Sequence, residues 1–227
     1  DTPQIDTPHS RRRVSLADYE FADLIDQQDK VRLLIDPTSS YAQAAAYAMG
    51  RAMDDVIIAA ATGTAYTGET GTGTESAQTA IAASVGSTTG LNIPKLAKAK
   101  EKFDLADVDP SIPRHIIVSP EQINNLLNVT EVTSSDFNTV KALVQGEIDT
   151  FLGFKFTVSN RLAKSGNDRT CIAFAQDGIT LGIGKDVNAR IDERADKSYA
   201  TQVYYCMSIG ATRMEQAKVI GITCTEA

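Results

Sequence analysis

Apolar positions recur along the chain with different spacings, and each spacing points to a different element. Val14, Leu16 and either Tyr19 or Phe21 stand among polar neighbours in near-alternation, which predicts a half-exposed strand. Acidic residues then arrive every three or so positions from 18 to 29. A short apolar run at 31–35 follows, and Asp36-Pro37 stops it. Thr38 or Ser39 can cap a helix just after Pro37. Tyr41, Ala45, Ala48, Ala52, Val56 and Ala59 then recur at steps of three and four, with Met49, Met53 and Ala60 beside them. This predicts a helix over 37–61, about six turns long, ending at Thr62-Gly63. Its stripe is mostly alanine, so a neighbouring backbone can approach closely.

From 62 to 90 the composition turns abruptly to Thr, Gly, Ser and Ala, as in Thr67-Gly-Glu-Thr-Gly-Thr-Gly-Thr. Such a stretch buries little apolar area per ordered residue and is expected to be a long flexible or extended excursion that contacts something outside its domain. A second helix is predicted over 94–105, with Leu96, Ala99 and Phe103 inward and the lysines outward. Pro110 and Pro113 break the chain before a short buried strand at 115–118, and a short helix at 121–128 follows Ser119-Pro120. Strands are expected at 154–159, 170–174, 179–183, 187–192, 202–208 and 219–224. The fold class is therefore α+β with mixed or antiparallel sheets, and no internal repeat is evident.

Composition narrows the chemistry. The 227 residues carry 22 Lys+Arg against 29 Asp+Glu, a net charge of −7, which argues against a surface that coats nucleic acid. Zero Trp and 6% aromatics leave few stacking platforms. No apolar run approaches the roughly 20 residues that span a bilayer. Cys171, Cys206 and Cys224 form no CxxC and are odd in number, which suits a reducing compartment better than a disulfide scaffold. The chain starts without an initiator Met, which suggests processing or truncation.

Catalytic constellations are not found. His9 and His115 lack a metal-binding partner at i+4, and there is neither an HExxH nor a Cys/His cluster, so no metal, cofactor or catalytic residue is assigned. No GxSxG elbow is present. The glycines from Gly68 to Gly73 resemble a phosphate loop, but Thr74-Glu75 stands where Gly-Lys-Ser/Thr is needed, and Glu75 would repel phosphate. Gly182-Ile-Gly184 begins a GxGxxG pattern that fails at Val187. Asp54-Asp55 and Asp192-Glu193 are adjacent residues, which neither a helix nor a strand points in one direction. Arg11, Arg12 and Arg13 form the one basic cluster. With no interleaved aromatics and a net charge of −7, pairing with acids of a neighbouring molecule is the better expectation than nucleic acid. Residues 185–197 alternate in sign, including Arg190, Asp192, Glu193 and Arg194, as either a solvated strand or an interface would.

Three blocks carry a family resemblance. The first is Asp6-Thr-Pro-His-Ser-Arg-Arg-Arg-Val-Ser-Leu-Ala-Asp-Tyr-Glu, continuing through Asp29-Lys30 to Ile35-Asp-Pro37. The second is Gly50-Arg-Ala-Met-Asp-Asp-Val-Ile-Ile-Ala59. The third is Phe151-Leu-Gly-Phe-Lys-Phe-Thr-Val-Ser-Asn-Arg161, with Ile191-Asp-Glu-Arg-Ala-Asp-Lys-Ser-Tyr-Ala-Thr-Gln202 and Ile209-Gly-Ala-Thr-Arg213. In order and spacing they resemble the major capsid (coat) proteins of tailed bacteriophages with the HK97-like fold.

The resemblance implies a chain that self-assembles into hexamers and pentamers of an icosahedral head, enclosing double-stranded DNA without reading its sequence. It implies no enzyme activity and no membrane. Residues 1–36 would be the returning part of the extended loop and the way into the peripheral domain, and 37–61 the spine helix. Residues 62–92 would be the Thr/Gly-rich excursion, 93–184 the axial domain, 185–217 the peripheral-domain strands and 218–227 the return strand to the axial domain. Implied partners are other copies of the chain and scaffolding, portal and decoration proteins, with assembly in the host cytoplasm and the virion capsid as destination. Arg11, Arg12, Arg13, Arg190, Asp192, Glu193 and Arg194 are the candidate inter-subunit contacts. Such coat proteins carry an N-terminal arm and the outgoing strand of the extended loop ahead of this point, so a removed or omitted segment is expected. A cellular nanocompartment shell of the same fold and a non-viral α+β binding domain or enzyme remain the alternatives.

Overall fold

The structure is a computed structural model that describes residues 9–26, 38–86, 89–128 and 150–226. The expected apolar run at 31–35 and its Asp36-Pro37 stop lie outside the described residues. In chain order the elements are β1 (Arg12–Arg13), β2 (Ala17–Ile25), α1 (Thr38–Thr62), β3 (Ala65–Thr67), β4 (Gly73–Glu75), α2 (Ile93–Leu105), β5 (Arg114–Val118) and α3 (Pro120–Leu127). Then come β6 (Thr150–Phe151), β7 (Phe154–Val158), β8 (Lys164–Ser165), β9 (Asp168–Ala175), β10 (Ile179–Arg194), β11 (Ala200–Arg213) and β12 (Val219–Thr225), with single 3-10 turns at Ala195–Lys197 and Gln216–Lys218. The chain separates into two compact units. One comprises 1–13, 58–180 and 212–227, the other 14–57 and 181–211.

The first unit is built on a mixed sheet in the order β12-β9-β5-β7-β6, with β8 on β9. Among the described residues its one parallel strand pair is β5 with β7. Two helices start at caps that the sequence supplies. The Asn92 side chain accepts from the Lys95 amide at 3.0 Å with Pro94 in the first turn, and Ser119 does the same for Gln122 just before Pro120. Their apolar stripes close over the sheet. Leu96, Ala99, Phe103 and Leu126 bury completely against Ile116, Phe154, Ile172 and Ile220. Each large side chain so buried contributes roughly 1.5–3 kcal/mol.

Two expectations change here. Lys95 does not face outward: it is fully buried, and its Nζ donates to the carbonyls of Thr89 and Gly90 at 2.6 Å each. An ammonium can take that position because two carbonyls replace its water. The excursion after residue 62 is also tied to its own chain. β3 and β4 form a three-stranded sheet with β1, and Ile81 makes a parallel bridge to Ile222 while burying to 3% exposure. Sparse apolar anchors with backbone pairing hold a segment whose composition alone offers little.

The second unit has a three-stranded sheet, β10-β11-β2, covered by the stripe of α1 up to residue 57. β2 and β11 pair antiparallel over nine residues, Ala17 with Ile209 through Ile25 with Thr201. The predicted strand at 14–21 therefore begins three residues later and continues to Ile25. Val14, Ser15 and Leu16 instead form a strap across the glycines of the two long strands. A Cβ on Gly210 would lie 2.3 Å from the Ser15 carbonyl oxygen, so only glycine lets the strap approach this closely. The inward face of α1 is Ala42, Ala45, Met49, Ala52, Met53 and Val56. Tyr41 and Ala59 of the predicted stripe are exposed, because alanine on every side of the helix leaves the methionines to choose the face. The two strands expected at 179–183 and 187–192 are one continuous strand of 16 residues.

Candidate assembly surface

The structure separates the three consecutive arginines. Arg11 is exposed, and its carbonyl accepts from the Gly68 amide at 3.2 Å. Arg12 points inward: its side chain is 8% exposed, pairs with Glu75 at 2.8 Å and donates from Nε to the Met214 carbonyl at 2.6 Å. Arg13 lies over the Tyr66 ring with its guanidinium carbon 4.8 Å from the ring centre. β1 alternates its faces, so one arginine in three turns into the small sheet while its neighbours turn out. Arg12 thus meets an acid of its own chain, and Arg11 and Arg13 are the members of the cluster that face solvent.

Beneath Arg12 lies a residue that sequence reasoning gives no role. Arg213 is fully buried and spreads its guanidinium over three carbonyls: Ala61 and Gly63 at 3.0 Å and Glu75 at 2.9 Å. Its planar fork ties the last turn of α1 to β4. Burial lowers its pKa, the Glu75 carboxylate works against that, and Arg12 adds to it. The available signal was parity, since Arg213 shares odd numbering with the inward Val203, Met207 and Ile209.

A second buried polar cluster closes the sheet edge near Glu226. This carboxylate is 2% exposed, accepts from Ser119 Oγ at 2.6 Å, and pairs with Arg169 at 2.9 Å and Lys164 at 3.1 Å. Burial alone would raise its pKa, but Ser119, Lys164 and Arg169 outweigh that and hold it below its ordinary value. Next to it Cys171 and Cys224 meet as free thiols. Their mutual hydrogen bond, with burial, pushes Cys171 up.

The long strand β10 carries the other candidate residues. From Ile183 to Arg194 every residue is exposed on both faces, including Ile183, Val187 and Ile191. Arg194 is bound locally, bidentate to Asp196 at 2.6 and 2.7 Å and to Gln202 at 3.0 Å. It holds the Asp196 carboxyl down to about 2. Arg190, Asp192 and Glu193 are exposed, with no ion pair within the described residues.

The remaining sequence candidates take structural places. His115 stacks on Phe174 at 5.6 Å, and burial, with Lys155 nearby, lowers its pKa. The glycine-rich stretch at 68–73 turns between β3 and β4, and Gly182 and Gly184 lie within β10. No group of three metal-ligating side chains occurs among the described residues. No helix among them is long and apolar enough to cross a membrane.

What remains is a pair of units whose exposed chemistry lies on an extended, mixed-charge strand and an outward arginine pair. A family model described as phage capsid protein matches residues 1–226. The chain belongs to the phage capsid protein family. It is a structural protein of a capsid shell and not an enzyme, it assembles with copies of itself, and its place is the virion capsid. Solved structures share its fold. It superimposes on a protein of Mycobacterium phage Che8 with a TM-score of 0.65 at 20% identity, covering 91% of this chain and 70% of the other. The capsid structure of cyanophage P-SCSP1u gives 0.69 at 15% identity, covering 100% and 79%. That of cyanophage Pam1 gives 0.69 at 14%, covering 100% and 80%. No curated protein sequence matches the chain. The α+β, HK97-like class is thus shown, and the nanocompartment and enzyme alternatives are not favoured.

Proposed function

We propose that copies of this capsid protein form the hexamers and pentamers of an icosahedral phage head, built in the host cytoplasm around scaffolding and portal proteins and open to decoration proteins. The head encloses double-stranded DNA without reading it. The net charge of −7 fits a wall that holds DNA by enclosure. The observation that carries the reading is the family match over residues 1–226. In this reading the unit built on the mixed sheet is the axial domain; it holds residues 218–227 and the expected span 93–184 as far as 180, residues 181–184 going with the other unit. The unit of β2, β10 and β11 is the peripheral domain, α1 is the spine helix, and residues 1–36 are the returning part of the extended loop and, through β2, the way into the peripheral domain.

Arg11 and Arg13 are the arginines proposed to meet acids of an adjacent subunit. Asp18, Glu20, Asp23 and Asp26 are repeated on every copy. An exposed ion pair contributes about 0–1 kcal/mol, so a closed shell gains from repetition and not from any one bridge. Arg11→Glu combined with Arg13→Glu, with Arg12 left in place, is expected to keep the melting temperature of the unassembled subunit while preventing shell closure at low salt. Normal shells from this double variant would return both residues to solvated surface.

A further inference from the structure

β10 is the terminal strand of its sheet, and among the described residues nothing pairs with its outer edge. An edge this long exposes a row of backbone donors and acceptors to any extended partner. Its charges choose among partners. Residues 185–194 carry Lys185, Arg190 and Arg194 against Asp186, Asp192 and Glu193, three of each sign, so the segment is neutral in a chain of net −7. A second copy is thus repelled by the chain as a whole but not by this strand.

We propose that the outer edge of β10 pairs antiparallel with the same edge of a second copy, about a two-fold axis through Ile191. This rests on the shell-forming reading above and names one of its contacts. In an antiparallel pair about a two-fold, residues opposite each other share a face. Centred on Ile191, the register puts Arg190 opposite Asp192 of the partner subunit and Asp192 opposite Arg190 of the partner subunit. Ile191 meets its own counterpart on the other face. Asn188 lies opposite Arg194 of the partner subunit, and Ala189 opposite Glu193 of the partner subunit, so no like charges meet. The 3-10 turn at Ala195–Lys197 ends the ladder before Asp186 reaches Asp196.

Neighbouring registers are worse. Centring on Arg190 sets two guanidiniums face to face, and centring on Ala189 sets Asp186 against Asp192. Centring on Asn188 gives two Asp186–Arg190 pairs but places Lys185 on Ile191 and Glu193 on Ile183. It also draws in residues 182–184, where the strap lies so close that a Cβ on Gly184 would meet Leu16 Cδ1 at 2.5 Å.

Two charge reversals test this, because the geometry makes them complementary. Arg190→Glu alone faces Asp192 twice, and Asp192→Lys alone faces Arg190 twice, so each is expected to weaken the contact roughly tenfold. A one-to-one mixture of the two variants restores two opposite pairs and should assemble like the unaltered chain. Ile191→Cys in the full chain supplies an independent reading. Directly opposed residues stand about 4.5–5.5 Å apart, within disulfide range, so mild oxidation with copper phenanthroline should give a covalent dimer within assembled shells. Failure of the mixture to recover, or shells of the Ile191→Cys chain in which oxidation gives no covalent dimer, overturns the edge pairing and leaves the shell reading intact. Recovery of Arg190→Glu by Asp186→Lys instead overturns the register. Stronger self-association of an Arg190→Ala, Asp192→Ala chain would mean that the charges guard the edge, and overturns it as well.

Discussion

Replacing Arg213 by methionine removes a fully buried side chain that holds three backbone carbonyls of the first unit. Its guanidinium serves three carbonyls at 2.9–3.0 Å, of which that of Ala61 is buried and those of Gly63 and Glu75 are partly so. A hydrogen bond from a charged donor contributes about 1.5–3 kcal/mol, and a buried acceptor left unpaired costs about 1–3 kcal/mol. Against this, methionine relieves the desolvation that lowers the Arg213 pKa, and water can reach two of the three carbonyls. The net expectation is a loss of about 3 kcal/mol, the lower end of the range for breaking a buried charged cluster. For a chain of this size that corresponds to a fall of roughly 6–12 °C in melting temperature. Arg213→Lys should lose about 2 kcal/mol, because one ammonium cannot span the fork. The assay is urea unfolding of the unassembled subunit, reading the midpoint at unchanged slope. A methionine variant within about 1 kcal/mol of the parent would refute the view that Arg213 ties α1 to β4.

Two further outcomes follow from the same geometry. Gly210→Val should displace the Val14–Leu16 strap or destabilise the second unit by about 2 kcal/mol, since its Cβ would lie against the Ser15 carbonyl oxygen, and proteolysis near residues 14–16 would report the displacement. The folded-state pKa of Glu226 is depressed below 4.5. Its contribution is therefore complete above that unfolded value and is lost as pH falls through the folded one. Glu226→Gln should accordingly flatten the acid side of a stability–pH profile, and an unchanged profile would refute the assignment.

Much of the first unit was legible in its sequence because its signals are local. Ser119 followed by Pro120 announces a helix start, and Leu96, Ala99 and Phe103 keep a strict helical spacing. α1 was readable as a helix, and Ala45, Ala52 and Val56 of its stripe face inward, but the ends of the stripe at Tyr41 and Ala59 were not readable, since alanine costs little buried or exposed. Lys95, Arg213 and Glu226 were illegible for a common reason. Each is buried by partners that only the fold brings round it, the nearby Thr89 and Gly90 carbonyls for Lys95 and groups distant in sequence for Arg213 and Glu226, and a charged residue read alone looks solvated. The strands expected at 179–183 and 187–192 leave out residues 184–186, whereas in the structure one strand runs through them, paired with β11 and without a buried face. Within the arginine triplet, Arg12 could have been set apart from its neighbours only by knowing which face of β1 turns inward.

Electron microscopy of particles formed by the purified full-length chain tests most directly whether this protein builds a closed shell. The expected image is a closed shell with sixfold and fivefold capsomers, each protomer fitting the mixed-sheet unit and the three-stranded-sheet unit as separate bodies. A population of small soluble oligomers that never closes, at protein concentrations and salt where related heads form, would contradict it.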